Sequence, residues 1–396
     1  MFKHHLTLAF RNLRKYKTQN IISITGLAVG FTCFAFSALW IRYEMSYDNF
    51  HANADRIYLV NMLNLSLNRW DPAATSAADA IQSRTPFPLG NWLKTNIPQI
   101  EDAGAIRSEF PATHFYPEIS IYYVDQGFCR IFELPIPESF FMPDRTDLPA
   151  AVTDKFNFDA DYIKEHHNFD VMATIPSWPA NSNFQFDMIV PAMARWPESA
   201  LSTGANYNTY VLLHDNANIE ALKKRLNNIE IPEWQKLPIS LVLTPIKQLR
   251  YKDQTGDFLA DVKFNHIRIY ALAGLLVVLC SLFNHISLFV SRGRVSLREL
   301  ALRKAGGASD MQIATSLTAD FLLVVLLSIV VGLMLMVLLL PVFKGYADIR
   351  STNIGIFCEL AIYAALLIAV GIFAGSILIL YFRKQVLNEN PEEAKR

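Results

Sequence analysis

Charged residues divide the hydrophobicity of this chain into four uninterrupted blocks. Residues 18–41, 269–290, 321–343 and 360–382 contain no Asp, Glu, Lys or Arg, and the shortest block has 22 residues. At about 1.5 Å of rise per residue, roughly 20 helical residues cross a hydrocarbon core about 30 Å thick. A helix satisfies every backbone amide within its own segment, as a membrane interior requires. The pattern therefore predicts four transmembrane helices. A core helix of a water-soluble protein would account for one such run but not for four.

Between the first two blocks the periodicity changes. Short apolar alternations at 56–60, 119–124 and 210–213 predict strands. Residues 88–96 and 219–228 predict helices, the second starting after Asn218 and carrying Leu222 and Leu226 on one face. Turns rich in Pro and Asn, such as Pro135-Ile136-Pro137 and Trp178-Pro179-Ala180-Asn181, separate these elements. The predicted fold class is a membrane α-helical protein with four transmembrane helices plus an extracytoplasmic mixed α/β domain at 44–265. Its aromatic residues, including Trp92, Trp178, Trp196 and Trp234, are read as core.

Charge supplies the orientation. The 36 Lys/Arg and 36 Asp/Glu residues balance overall, yet residues 44–265 hold 18 basic and 28 acidic side chains, a net of −10. The remainder holds 18 and 8, a net of +10. Lys3, Arg11, Arg14, Lys15 and Lys17 precede the first block; Arg292, Arg294, Arg298, Arg303 and Lys304 follow the second. Positive loops stay cytoplasmic. Both of those segments and the tail at 383–396 are thus expected inside, with 44–265 and 344–359 outside, in a multi-pass protein of the inner (plasma) membrane. The first block exceeds the 7–15 apolar residues of a signal peptide, and no small-x-small site follows Trp40-Ile41-Arg42, so it reads as a signal anchor. Of the four cysteines only Cys129 lies in the outer domain, which therefore depends on a packed core without an internal disulfide.

Residues 1–17 space Phe2, Leu6, Ala9, Phe10 and Leu13 by three and four, which predicts a cytoplasmic amphipathic helix at the anionic leaflet. Residues 291–319 read as a cytoplasmic loop containing a compact charged helix at 296–305. Gly306-Gly307 ends that helix and Ser309 caps the next. A short helix of this kind, lying along the membrane, would be a docking surface for a soluble partner. Gly26-x-x-x-Gly30 and Gly371-x-x-x-Gly375 predict close helix packing. Asn284, His285 and Asp320 read as hydrogen-bonding groups near the membrane interface, and His166-His167 as a surface pair. The sequence contains no G-x-x-x-x-G-K-[ST], H-E-x-x-H, Cys-x-x-Cys or G-x-S-x-G motif, and no span carries an ordered series of charges. Catalytic, metal and cofactor-binding residues are expected to be none, and no nucleic acid is expected as a partner.

These residues resemble the MacB/FtsX-like permeases of ATP-binding-cassette systems. The similarity runs through Leu8-Ala9-Phe10-Arg11-Asn12-Leu13-Arg14-Lys15-Tyr16-Lys17 and Ile24-Thr25-Gly26-Leu27-Ala28-Val29-Gly30. It continues through Tyr47-Asp48-Asn49-Phe50-His51-Ala52-Asn53-Ala54-Asp55-Arg56-Ile57-Tyr58 and Asn181-Ser182-Asn183-Phe184-Gln185-Phe186-Asp187. The most specific stretch is Arg298-Glu299-Leu300-Ala301-Leu302-Arg303-Lys304-Ala305-Gly306-Gly307-Ala308-Ser309, although the family more often has alanine at the position of Gly307.

The resemblance implies a permease subunit that binds no cofactor itself, with ATP hydrolysed by a separate cytoplasmic ABC ATPase. Arg298, Glu299, Leu302, Arg303, Lys304, Gly306 and Gly307 would couple to that ATPase. The partners implied are the lipid bilayer, a homodimer mate or second permease half, and a periplasmic or outer-membrane component. The tail Leu387-Asn388-Glu389-Asn390-Pro391 is similar to the junction that precedes a second repeat in longer permeases. A signalling subunit that controls a cell-wall hydrolase or senses an envelope compound, and an anchored scaffold, are the competing expectations.

Overall fold

The computed structural model describes residues 11–63, 81–109, 119–142, 148–156, 169–195, 205–227, 229, 240–250, 264–307, 309–347, 349–350 and 353–388. The chain forms two compact units, one of Met1–Tyr43 with Asn265–Arg396 and the other of Glu44–Phe264.

The first unit is helical. Its long helices are α1 (Lys17–Met45), α6 (Phe264–Ala305), α7 (Asp310–Tyr346) and α8 (Asn353–Asn388). Each contains a segment long and apolar enough to cross a membrane: Lys17–Met45, Phe264–Ser291, Thr315–Tyr346 and Gly355–Ile377. Their shared interior contains Leu27, Phe31, Ala35 and Leu39 of α1, Phe289 of α6, Phe321, Val325 and Ile329 of α7, and Leu360 and Leu367 of α8. Rings tighten these contacts, with Phe36 stacked on Phe343 at 4.3 Å and Trp40 edge-on to Tyr270 at 4.9 Å. The Thr32 hydroxyl donates to the carbonyls of Ala28 (2.8 Å) and Gly332 (3.3 Å), so the buried polar group is satisfied within the bundle.

The second unit is built on one mixed sheet of strands β1 (Ile57–Leu63), β2 (Ile81–Gln82), β3 (Thr85–Pro86), β4 (Ile100–Glu109), β5 (Ile121–Val124), β6 (Leu148–Thr153), β7 (Phe169–Ile175), β8 (Met188–Pro191), β9 (Ala205–Leu213) and β10 (Ser240–Pro245). The spatial order is β10-β1-β9-β4-β5-β8-β6-β7, with β2 on β1 and β3 on β9. The β5–β8 and β6–β7 pairs are parallel, whereas β1–β10, β1–β9, β4–β9 and β4–β5 are antiparallel.

Successive strand residues point to opposite faces. Ile57 and Leu59 of β1 and Tyr210 and Leu212 of β9 enter one core with Phe128, Phe132, Phe140 and Phe184. Tyr58, Val60, Met62, Val211 and Leu213 enter another, under α2 (Leu89–Asn96) and α5 (Ile219–Leu226) through Leu89, Leu93, Leu222 and Leu226. Both faces of these strands are therefore covered. Asn218 caps α5 by accepting from the Ala221 amide at 3.0 Å.

Helix α3 (Gln126–Ile131) lies against β4 at a distance that only glycine permits. A Cβ on Gly104 would overlap the backbone of Phe128, and one on Gly127 would overlap the carbonyl of Ala103. Asp125 caps this helix by accepting from the Phe128 amide at 2.7 Å. Asp102 of β4 then ties it down, accepting from Arg130 Nε at 2.6 Å and from Lys94 Nζ at 2.9 Å. Burial raises the Asp102 carboxyl, but the bonds from Arg130, Lys94 and the Ala103 amide outweigh it and hold the group below its ordinary range. Cys129 is a buried thiol inside this helix, and burial pushes it upward, so it acts as an inert core group.

Gly104→Ala is therefore expected to destabilise the sheet domain selectively, by about 3 kcal/mol, since overpacking against backbone has no side chain to yield. Thermal unfolding of the full chain should show a lower transition for this variant, with Gly345→Ala, which meets open space, as the unchanged control.

Candidate coupling sites

The stretch expected to be a separate short helix is the last part of α6, which runs unbroken from Phe264 to Ala305. The reason is local: from 292 to 305 the chain is dominated by Arg, Leu, Ala, Glu and Lys, good helix formers, with Gly293 the only weak position and no proline. The segment between the two membrane-crossing stretches, Phe264–Ser291 and Thr315–Tyr346, thus contains the end of α6 and the start of α7. Arg298, Glu299 and Arg303 lie on α6, while their side chains fall outside the described residues. Leu302 is 67% exposed, large for an apolar side chain, and Lys304 is half-buried.

The helix end is built by its glycines. The Gly306 amide donates to the Leu302 carbonyl at 3.0 Å and the Gly307 amide to Lys304 at 3.1 Å. Gly307 adopts φ +91°, the left-handed conformation that glycine alone takes without strain. Ser309 and Gln312 then form a reciprocal capping box that starts α7. The α6 end and the α7 start are thus each fixed by their own backbone and side-chain bonds.

The four packing glycines sit at helix contacts. Gly26 faces Asn284 and Gly30 lies against Ser281, both on α6; a Cβ on Gly30 would overlap the serine. Gly371 faces Val325 and Gly375 faces Phe321, each 3.4 Å from an added Cβ, on α7. Pattern reading did not single out Gly274 and Gly332, which serve the same purpose against Ser37 and Phe31. Asp320 is half-buried and accepts from Asn12 Nδ2 at 2.7 Å, which fixes the segment before α1 to α7. His285 is fully buried against the Phe321 ring at 4.5 Å. Residues 1–10 and the His166-His167 pair lie outside the described residues.

In the sheet unit, a cluster of polar contacts joins stretches far apart in sequence. Glu44 Oε2 accepts from Arg250 Nε at 2.8 Å, with 3% and 13% of the two side chains exposed. The Arg250 guanidinium also covers the Tyr47 ring at 4.4 Å. Asp48, fully buried at φ 55°, accepts from Ser182 Oγ at 2.7 Å, from Asn183 Nδ2 at 2.6 Å and from the Asn183 amide at 3.2 Å. The Asp48 amide donates to the Asn181 carbonyl at 3.0 Å, and Asn181 Nδ2 returns bonds to Ser46. These donors satisfy the oxygens of a buried side chain and hold a residue of left-handed backbone in place. The segments at 47–58 and 181–187 resembled one family separately in the sequence; here they bind each other.

Residues 269–391 match the family described as FtsX-like permease C-terminal. Over these residues the chain is similar to the FtsX-like permeases. The FtsX-like match covers α6 from residue 269, the glycine corner, α7 and α8. A solved domain from Porphyromonas gingivalis, described as part of a permease protein, aligns with 58% of this chain and 99% of its own length, at 15% identity and a TM-score of 0.37. No curated protein matches the chain.

Gly30→Leu is expected to separate α1 from α6 and to destabilise the bundle by about 1–3 kcal/mol, whereas Gly345→Ala should be neutral. The melting temperature of the two purified variants in one detergent checks this.

Proposed function

We propose that the chain is the permease subunit of an ABC-type system, set in the inner membrane with both termini cytoplasmic. In this reading a separate cytoplasmic ATPase binds the end of α6 and the glycine corner, and its ATP-driven closure moves the helices. The movement passes to the outer domain and drives an extracytoplasmic event; it does not itself carry a substrate through the bilayer. The chain pairs with a second copy or a second permease half, and its outer domain meets a periplasmic or outer-membrane component.

The observation that carries this reading is the continuity of α6. One helix contains a membrane-crossing segment and the Arg298–Arg303 stretch with its exposed Leu302. Since a helix is stiff along its axis, a push at 298–305 is delivered to the membrane-crossing segment instead of being absorbed by a flexible loop. The family match over residues 269–391 includes the whole of that stretch.

The test is capture of the ATPase encoded beside this chain by the tagged full-length protein. Arg298→Glu/Arg303→Glu is expected to reduce capture at least about tenfold, equivalent to about 1.4 kcal/mol. Capture of no ATPase by the unaltered chain would remove the energy source that this reading requires.

A further inference from the structure

Residues 11–15 form a helical turn that leads through Tyr16 into α1. The Tyr16 amide donates to the Asn12 carbonyl at 3.1 Å, and the Asn20 amide to the Tyr16 carbonyl at 3.0 Å. The side chains sort by face. Asn12, Leu13 and Tyr16 are half-buried and Asn20 is buried, whereas Arg11, Arg14, Lys15, Lys17 and Thr18 are exposed. The inward face is fastened twice: Asn12 Nδ2 donates to Asp320 Oδ2 of α7 at 2.7 Å, and Asn20 Nδ2 to the Leu13 carbonyl at 3.1 Å. The outward face carries four cations within residues 11–17, a stretch that contains no acid. Lys15 Nζ lies over the Tyr16 ring, 5.4 Å from its centroid.

We propose that Arg11, Arg14, Lys15 and Lys17 form a binding site for the phosphates of anionic phospholipids, held in place by the bond from Asn12 to Asp320. Charge and position both select this occupant. Lys17 opens the membrane-crossing stretch, and residues 18–41 carry no charge. Arg14 stands one helical turn before that block, about 6 Å along the axis, and the headgroup layer is about 5–7 Å deep on each side of the hydrocarbon core. Exposed cations at that depth lie among phosphate oxygens. The planar fork of arginine bonds two such oxygens at once, and lysine adds a point charge. A basic cluster immediately beside a membrane helix is attracted to anionic lipid for the same reason.

The fastening gives lipid binding a consequence inside the helical unit. Asp320 belongs to α7, whose start is fixed by the Ser309–Gln312 capping box. Further along, α1 is tied to α7 again by the Thr32 hydroxyl on the Gly332 carbonyl. A lipid that holds residues 11–17 therefore restrains α1 and α7 together, and anionic lipid stabilises this pair of helices. That the lipid belongs to the cytoplasmic leaflet rests on the permease reading, whereas the site itself does not.

The experiment is native mass spectrometry of the full chain in detergent, titrated with phosphatidylglycerol or with phosphatidylcholine of the same chain length. The original chain is expected to prefer phosphatidylglycerol. Each single change to Gln at Arg11, Arg14 or Lys17 should weaken that lipid about fivefold, and replacing all four cations by Gln should abolish the preference. Arg11→Lys/Arg14→Lys should keep most of it. Lys223→Gln/Lys224→Gln/Arg225→Gln, at exposed positions of α5, should leave it unchanged. Equal binding of the two lipids by the original chain, an equal loss in the α5 variant, or displacement of the lipid by inorganic phosphate would overturn the proposal. In lipid nanodiscs, phosphatidylglycerol should also raise the melting temperature of the original chain. Asn12→Ala should lose that rise while still binding the lipid, and an undiminished rise would overturn the link to α7. ATPase capture is a separate readout, so the permease reading stands or falls independently.

Discussion

The sheet domain is closed near its two ends by a buried ion pair, Glu44 with Arg250. Glu44 lies in the last turn of α1 and Arg250 lies 206 residues later, just beyond the last strand. Removing two charges from water is costly, and such a pair returns that cost only when its geometry is fixed and its remaining valences are filled. Here the Tyr47 ring covers the guanidinium. The consequence is specificity: the strand that opens the sheet, β1, and the one that closes it, β10, pair in a single register from Tyr58–Pro245 to Leu63–Ser240. The Asp48 clasp fixes the same opening segment to the turn before β8, so both halves of the sheet are tied to the residues that follow α1.

The interior reflects that arrangement. Phe128, Phe132, Trp178, Phe184 and Tyr210 form one aromatic cluster beneath the clasp, with centroid separations of 4.4–6.1 Å. Close backbone approach at Gly104 and Gly127 brings α3 down onto β4, which in turn positions Phe128 and Phe132. A domain without a disulfide is thereby held by ring packing and by two well-satisfied carboxylates, Asp48 and Asp102.

The elements most legible in the sequence were those with a single dominant cause. Four charge-free blocks, each long enough to cross a hydrocarbon core as a helix, declared four helices because such a segment must satisfy its own backbone. Asn218, Leu222 and Leu226 declared α5, and Gly307 and Ser309 declared the corner between α6 and α7. The continuity of α6 was harder to read, because the change from apolar to charged residues near Arg292 mimics a domain boundary while helix propensity continues across it. The strand order was not legible, since pairing such as β9 between β1 and β4 depends on contacts distant in sequence. Nor was the clasp: Asp48, Ser182 and Asn183 are ordinary turn residues individually, and only folding brings them together. Gly274 and Gly332 were missed because neither belongs to a four-residue glycine spacing.

The central claim, that Glu44 and Arg250 act as one unit closing the sheet domain, is tested most directly by a double-mutant cycle on the full chain. Glu44→Gln, Arg250→Met and their combination would be compared by thermal unfolding. Each single change should strand a buried partner, and the pair should be less damaging than the sum by about 1–3 kcal/mol. Additivity within about 0.5 kcal/mol would show that the two side chains do not support one another, and would contradict the account.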